Sequence, residues 1–497
     1  MNTDRPDESR PVAAGPSAHL SGPSSRARRL LSHAIGYGSA TYIAAALNAV
    51  RGVVLARVLG PDNYGVWSVL TLVLVWSQFA DVGLASAVNR QLPVSRAEGD
   101  VHGASRAKAL GFGLKLGATG IAAIATLVAA ALTRNPVYRE GLSVVAVLAV
   151  LQAIQQFGSV VLLAERRVAT AGRLVVTFAV LNFVATLGGA FMAGLRGVWY
   201  GLGVALAVTA VLYVRAISVR PSLRMRWPEL RSMVVVGMPL AALALISYNL
   251  VNVDQLVVAG ALGGRELAYY TIALTIGGLL YIAPSSLASI IGPPLIEKWR
   301  RGDEGVEDLA WEPVRFLRDS YWLPTVLAML VVGPAVRWLL PQYQPGIQPA
   351  LFYLPGAYLL GMNLGASTYL LALGRHWANI PLALASVGVS VCLELLFVRL
   401  GMGLSGVALG STCGYLVYTF SHLTVVRANM GDRIPAASFK AAKMLLPALA
   451  WALLMLSGTV LNRTTWLIAI IVFGFAYVWI LVVPHSKIYF RLLGVAR

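Results

Sequence analysis

The stretch that decides the fold is ALNAVRGVVLARVLGPDNYGVW, residues 46–67. Its first part reads as the end of an apolar helix, and PDNYG reads as a turn before the next helix. Arg51 stands nine residues before Gly60, which is about 13 Å along a helix. Half of the hydrocarbon core of a bilayer is roughly 15 Å thick. The stretch therefore places a guanidinium near the membrane midplane, where a charge costs several kcal/mol.

The composition is that of a membrane protein. Of the 497 residues, 58% are hydrophobic and 12% are charged, whereas soluble proteins carry about 25% charged residues. Apolar runs long enough to cross a bilayer recur from about residue 35 to residue 484. These runs are rich in Leu, Val, Ala and Gly and lack two-residue alternation, which favours helices over a barrel. The sequence predicts an all-α polytopic membrane protein.

Charged residues and Pro/Gly turns divide the apolar runs into about fourteen transmembrane helices. We number them spans 1 to 14, and they lie near residues 35–59, 64–89, 109–132, 141–163, 174–194, 198–217, 233–261, 267–291, 319–340, 347–372, 379–398, 405–426, 444–461 and 465–483. An even number of spans puts both termini on the same side of the membrane.

The distribution of Lys and Arg orients these spans. Thirty of the forty basic residues fall on the side of the termini and seven on the opposite side, so both termini are predicted to be cytoplasmic. The other three, Arg51, Arg57 and Lys115, lie within spans. Because the net charge of +19 follows the topology, it does not indicate a nucleic-acid partner.

Several functional classes are disfavoured. Residues 1–30 are polar and lack an apolar core, which predicts a disordered cytoplasmic tail rather than a cleaved signal peptide. Cys392 and Cys413 fall in apolar spans without the spacing of a metal site or a disulfide framework. The sequence has no G-x-x-x-x-G-K-[ST] motif for ATP. With no large loop outside the membrane to hold a catalytic centre, we do not expect an enzyme or a cofactor.

Residues 249–270, NLVNVDQLVVAGALGGRELAYY, echo residues 46–67 with six identities in an ungapped alignment. Six spans would then separate the repeats, so both halves run the same way through the membrane. The echo predicts two six-helix lobes related by a pseudo-two-fold along the membrane normal. The predicted divisions are an N-lobe at 31–220, a C-lobe at 221–430, and two further helices in 431–497. The alignment sets Arg51 opposite Asp254, either across a shared cavity or as an ion pair.

The motifs ARVLGPDNYG (residues 56–65) and DVGL (residues 81–84) resemble the start of bacterial polysaccharide flippases. That family belongs to the multidrug/oligosaccharidyl-lipid/polysaccharide (MOP) exporter superfamily. The resemblance implies alternating access and transport of undecaprenyl-diphosphate-linked oligosaccharide from the cytoplasmic to the outer leaflet of the bacterial cytoplasmic (inner) membrane. A polysaccharide polymerase or a glycosyltransferase is a further candidate partner beside the lipid bilayer. Two alternatives from the same superfamily remain open, a lipid II flippase and a cation-coupled multidrug exporter.

Polar residues inside the spans are the candidate site residues. Guanidinium and ammonium groups bind phosphate, and amides bind sugar hydroxyls or join helices. The predicted substrate-binding residues are Arg51, Lys115, Gln152, Gln156 and Asn249. Acidic residues could bind H⁺ or Na⁺ for coupling, or pair the lobes; these are Asp254, Glu394 and Asp81. Arg57 is closer to a helix end and reads as an interfacial anchor, and a local pair with Arg399 is an alternative for Glu394.

Overall fold

The computed structural model describes residues 23–81, 83, 92, 100–222, 227–301, 306–372, 379–457 and 462–479. Every regular element within these ranges is helical, so the predicted all-α class is confirmed. Residues 1–22 lie outside the described residues, and the predicted disordered tail stays a prediction.

Fourteen α-helices are described, with short 3₁₀ turns at Gln78–Asp81 and Pro341–Gly346. In chain order they are α1 Pro23–Ser77, α2 Val101–Leu132, α3 Pro136–Ala164, α4 Val168–Ile217, α5 Trp227–Ala261, α6 Gly264–Arg301, α7 Val306–Ser320, α8 Trp322–Leu339, α9 Ile347–Met362, α10 Leu364–Ala372, α11 Asn379–Arg399, α12 Gly403–Asn429, α13 Ile434–Ser457 and α14 Arg463–Tyr477.

Two of these helices contain two predicted spans each. Helix α4 has 50 residues and would be about 75 Å long if straight, far more than a bilayer core of about 30 Å. It reverses at Gly194 (φ 57°), and α1 reverses at Gly60 (φ 70°, ψ 171°). The prediction that all of PDNYG forms a turn was wrong, because the chain reverses at Gly60 alone. Pro61 already begins the next helical segment, because its fixed φ suits the first turn of a helix.

Within the described ranges, nine helical stretches are long and apolar enough to cross a membrane, including the double-length Gly38–Asp81 and Val168–Ile217. A multi-pass membrane protein is thereby supported. Two predicted spans differ from the structure. Only the first two residues of span 9 belong to the separate amphipathic helix α7, and the rest of the span corresponds to α8. Span 10 is divided at Asn363 into α9 and α10.

The helices pack in two groups. Helices α1 to α4 pack against one another, and α5, α6, α9, α11 and α12 form the second group. The C-terminal helix α13 packs on α9 and α12. The two groups, here called the N-lobe and the C-lobe, meet where α1 contacts α5 and α6. The residue boundaries predicted for the lobes stay predictions. We call the end of the bundle that the charge distribution assigns to the outside the outer end.

Candidate transport site

The lobes are in contact at the outer end. The Tyr343 hydroxyl, in the turn after α8, donates a hydrogen bond to the Ala56 carbonyl of α1 at 2.9 Å. The Tyr343 ring also packs edge-on against Tyr64, with 6.1 Å between centroids. Beside them, the backbones of Gly65 and Gly264 approach so closely that neither a Cβ nor a larger side chain fits on Gly65. These contacts close the outer end of the space between the lobes.

A second inter-lobe seam lies between the later part of α1 and α5, and it holds a mostly apolar cavity of about 400 Å³ bordered by α1, α2 and α5. The Tyr248 ring of α5 packs against Phe79 at 5.3 Å and Trp76 at 6.3 Å between centroids. Further toward the inner end, Gly83 has φ 82° and lies against the Gly237 backbone, where a Cβ would meet the Gly237 carbonyl oxygen. This close approach explains why the DVGL motif has a glycine at position 83.

The seam between α1, α6 and α8 contains two further cavities. The outer cavity has a volume of about 170 Å³ and the inner one about 650 Å³. Both are lined almost entirely by apolar side chains, and Leu279 of α6 borders both of them. We call the two cavities together the α1–α6–α8 groove. It runs from Tyr42, near the inner end, to Tyr343, near the outer end.

Arg51 lies next to this groove. The residues that follow it, Gly52 and Val53, line the outer cavity, and its guanidinium is within electrostatic reach of Tyr64. The side chain is half-buried, and its Nε has no hydrogen-bond partner among the described residues. A buried donor without a partner carries a desolvation cost, so Arg51 is suited to receive an anion. Arg57, by contrast, is exposed.

Asp254 does not pair with Arg51. Asp254 is 1% exposed and turns into the C-lobe, where the Tyr270 hydroxyl donates to its Oδ2 at 2.8 Å. The Ser411 hydroxyl lies 3.5 Å from Asp254 Oδ2 and 2.9 Å from Glu394 Oε1. The structure therefore brings two predicted acidic residues together through one serine. Two such carboxylates in apolar surroundings call for a proton or a cation to offset their charge.

Glu394 is fully buried and also accepts a hydrogen bond from Ser390 at 2.9 Å. The alternative of a local pair between Glu394 and Arg399 is not formed, since no ion pair joins these two described residues. The side chain of Glu394 faces α12 rather than the outer end. Its Oε2 has no hydrogen-bond partner among the described residues.

Lys115 and Asp81, predicted for different roles, contact each other inside the N-lobe. Lys115 Nζ donates to the Gln78 carbonyl at 2.7 Å and lies 3.5 Å from Asp81 Oδ2. The two residues are 2% and 6% exposed. In this conformation Lys115 therefore neutralises a carboxylate of its own lobe.

The predicted amides lie elsewhere on the spans. Gln152 is half-buried and Gln156 is exposed on α3. Asn249 is half-buried, and its Nδ2 donates to the Leu245 carbonyl one turn earlier in α5. Their roles in substrate binding stay predictions.

The sequence analysis missed the hydroxyl groups around the acidic pair, Ser390, Ser411 and Tyr270. One signal was present, because Ser390 and Glu394 have the four-residue spacing of one helix face. The other two residues come from different helices, and only the packing brings them to Asp254.

Residues 54–296 match the family model described as "Polysaccharide biosynthesis protein". No curated protein matches the sequence. Among solved structures, the lipid II flippase MurJ in an inward closed conformation aligns with a TM-score of 0.66 at 14% identity, covering 92% of this chain and 99% of that chain. The chain therefore shares the fold of this flippase. The family match agrees with the resemblance indicated by the two sequence motifs.

Other MOP transporters share the fold. An inward-facing multidrug resistance MATE family transporter aligns with a TM-score of 0.64 at 18% identity, over 79% of this chain and 95% of that chain. A MOP transporter from Pyrococcus furiosus, described as having a binding pocket of reversed polarity, aligns with a TM-score of 0.56 at 18% identity, over 81% and 94% of the two chains.

Proposed function

We propose that this protein flips an undecaprenyl-diphosphate-linked oligosaccharide from the cytoplasmic to the outer leaflet of the bacterial cytoplasmic membrane. The observation that carries the proposal is Arg51, a half-buried cation beside an apolar groove, whose buried Nε has no hydrogen-bond partner among the described residues. A guanidinium binds the oxygens of a diphosphate in a planar, bidentate way. An apolar groove that follows the seam between the lobes is suited to an isoprenoid chain. The two features match the two parts of such a lipid.

The same charge weighs against the drug-exporter alternative. A cationic drug that entered the seam would meet Arg51 and be repelled, because two like charges in a low-dielectric site repel each other strongly. The lipid II flippase remains the second candidate, because lipid II also carries a diphosphate on an undecaprenyl chain. Its support here is the alignment with MurJ over 92% of the chain.

We further propose that cation binding at Asp254 and Glu394, by H⁺ or Na⁺, drives the cycle. A cation that offsets these two carboxylates stabilises one conformation over the other only if its affinity differs between them. The pair lies in the C-lobe while Arg51 lies in the N-lobe. Cation and anionic lipid can therefore act on different lobes without competing for one site.

The first experiment removes the protein from its native cell and identifies the lipid-linked sugars that accumulate, and in which leaflet. Oligosaccharide on undecaprenyl diphosphate, trapped on the cytoplasmic side, is the expected result. Accumulation of lipid II would favour the second candidate. Unchanged lipids together with altered sensitivity to cationic drugs would overturn the proposal in favour of an exporter.

The second experiment compares Arg51→Ala and Arg51→Lys, with Arg57→Ala as a matched control from the same helix. Arg51→Ala should abolish export, and Arg51→Lys should keep part of it because a point charge remains. The exposed Arg57 can be truncated with export close to normal. Normal export by a stably expressed Arg51→Ala protein would remove this residue from the substrate site.

A further inference from the structure

One face of α12 carries a continuous row of buried polar side chains. It begins at Ser411, beside the acidic pair, and continues at positions four, seven, eight and eleven residues further on, which share a helix face. The members are Tyr415, Tyr418, Thr419 and His422, all buried. The eleven residues from Ser411 to His422 correspond to about 16 Å of helix. The row leads from the acidic pair toward the inner end, since α12 runs inward and ends at Asn429.

His422 closes the row. It is fully buried, and its Nδ1 lies 2.8 Å from Asn363 Nδ2 and 3.5 Å from the Ser367 hydroxyl. Its Nε2 has no hydrogen-bond partner among the described residues, nor does Asn363 Oδ1. Asn363 is the residue at which α9 gives way to α10. Packing of the imidazole requires only the hydrogen bond at Nδ1. The contacts of the described residues give Nε2 no structural role.

Other groups around this row are neutral. The Tyr418 ring lies against the His422 ring, with 5.2 Å between centroids. The Tyr353 and Tyr415 hydroxyls lie 3.3 Å apart, nearer the acidic pair. No ion pair involves His422 among the described residues. The titratable groups nearest to the row are therefore tyrosines at one end and the two carboxyl groups at the other.

The geometry of Ser411 favours a proton over a metal cation. Its hydroxyl has one hydrogen but three acceptors within 3.5 Å, namely Glu394 Oε1, Asp254 Oδ2 and the Val407 carbonyl. It can donate to one carboxyl and must accept from the other if both contacts are to be hydrogen bonds. One carboxyl group must then carry a proton.

We propose that a proton leaves the Asp254–Glu394 pair along this face of α12 and passes through His422 to the cytoplasm, so that the coupling ion is H⁺. The inference rests on the proposed function and specifies its ion. The hydroxyls of Ser411, Tyr415 and Tyr418 each accept a proton on the oxygen and give up their own, and the imidazole accepts at one nitrogen as it releases from the other. The Thr419 hydroxyl donates to the Leu359 and Tyr415 carbonyls and takes no part in the relay. One proton enters at a carboxylate and one leaves at the inner end. No other reactant is consumed.

The test uses the full-length protein in vesicles that contain a pH-sensitive dye, with undecaprenyl-diphosphate N-acetylglucosamine as the probe. His422→Gln is compared with His102→Gln, a matched control at an exposed histidine on α2. We expect His422→Gln to slow probe-dependent proton movement by about 100-fold, the range of a positioned proton-transfer group. Its affinity for the probe and its melting temperature should stay the same. His102→Gln should behave as wild type.

Three results would overturn the inference. Wild-type proton movement in His422→Gln would exclude the relay. Flipping that requires Na⁺ and moves no protons would exclude H⁺ while leaving the proposed function intact. If the wild-type protein flips the probe with neither a proton gradient nor a sodium gradient, both the proposed function and this inference are wrong. If His422→Gln fails to fold, Tyr418→Phe loses only a hydroxyl from the same row and should show the same slowing.

Discussion

The backbones of Gly65 and Gly264 touch across the two lobes at the outer end of the molecule. A Cβ on Gly65 would collide with the Gly264 carbonyl oxygen, and a Cβ on Gly264 would lie 2.9 Å from the Tyr138 hydroxyl. Each glycine stands near the start of a helical segment that follows a reversal of the chain. The outer end can therefore close only because neither residue has a side chain.

Replacing Gly65 should hold the outer end open. In Gly65→Val the side chain collides with backbone, which cannot move aside as a flexible side chain does, so the closed contact is lost. We expect flipping to stop and residues of the outer cavity, such as Thr275, to become accessible from outside. Reaction of a cysteine at position 275 with a membrane-impermeant thiol reagent measures this. Gly278→Ala on the same helix α6, which meets nothing within 4 Å, is the control.

Removing one hydroxyl should loosen the same contact by a smaller amount. Tyr343→Phe loses the hydrogen bond to the Ala56 carbonyl and keeps the ring packing. The net value of such a bond is about 1 kcal/mol, which shifts a two-state equilibrium about fivefold. Distances between spin labels on the outer ends of α1 and α6 would report the populations. An unchanged distance distribution would show that the ring contacts alone hold the outer end closed.

The buried pair of Lys115 and Asp81 should behave as a unit. Lys115→Met removes the ammonium that lies 3.5 Å from the buried Asp81 carboxylate, and breaking a buried pair costs about 3–5 kcal/mol. Lys115→Met/Asp81→Asn removes both charges and should recover most of the stability. Thermal unfolding of the purified variants measures both effects. Recovery of stability without recovery of flipping would return Lys115 to the substrate-binding role predicted from the sequence.

The packing of the C-terminal helix α13 against α8 should depend on one tryptophan. Trp451 of α13 is fully buried and stacks on Trp322 of α8, with 3.9 Å between ring centroids. Truncating a buried tryptophan costs about 3–5 kcal/mol. Trp451→Ala should lower the melting temperature markedly. Phe475→Ala on α14, where the side chain is 77% exposed, should leave the melting temperature nearly unchanged. Equal effects of the two substitutions would contradict the packing of Trp451 against Trp322.

The contribution of the turn between α12 and α13 to the stability of the protein should change only at acidic pH. The Lys440 ammonium, which donates to Asp432, lowers the pKa of that carboxyl, and Arg427 adds to the effect with its Nε 3.0 Å away. Because the folded pKa is lowered, the stabilisation is present above the unfolded pKa of about 3.9 and is lost as pH falls through the folded value. The difference in melting temperature between wild type and Asp432→Asn should be constant from about pH 5 to 8. It should shrink below about pH 4, whereas a difference that fades near pH 6 would point to another group.

The sequence alone determined the class, the approximate spans and the pattern of charge. Arg51 and Asp254 could be singled out from it because a charge in an apolar run is costly wherever the chain folds. These are local properties, since the length of an apolar run and the number of its charges do not depend on packing. The chain reversals were predicted at Gly60 and Gly194 to within a few residues for the same reason.

Tertiary structure alone decided which polar residues meet. Asp254 joins Glu394, 140 residues later, and Lys115 joins Asp81 instead of facing a substrate. The sequence could not supply these pairings because the lipid-facing and the buried face of a membrane helix are both apolar. The periodicity that orients a helix in a soluble protein is therefore weak here. Rotation of each helix about its axis, and with it the meeting of Ser411 with two carboxyl groups, is set by the packing of the helices against one another.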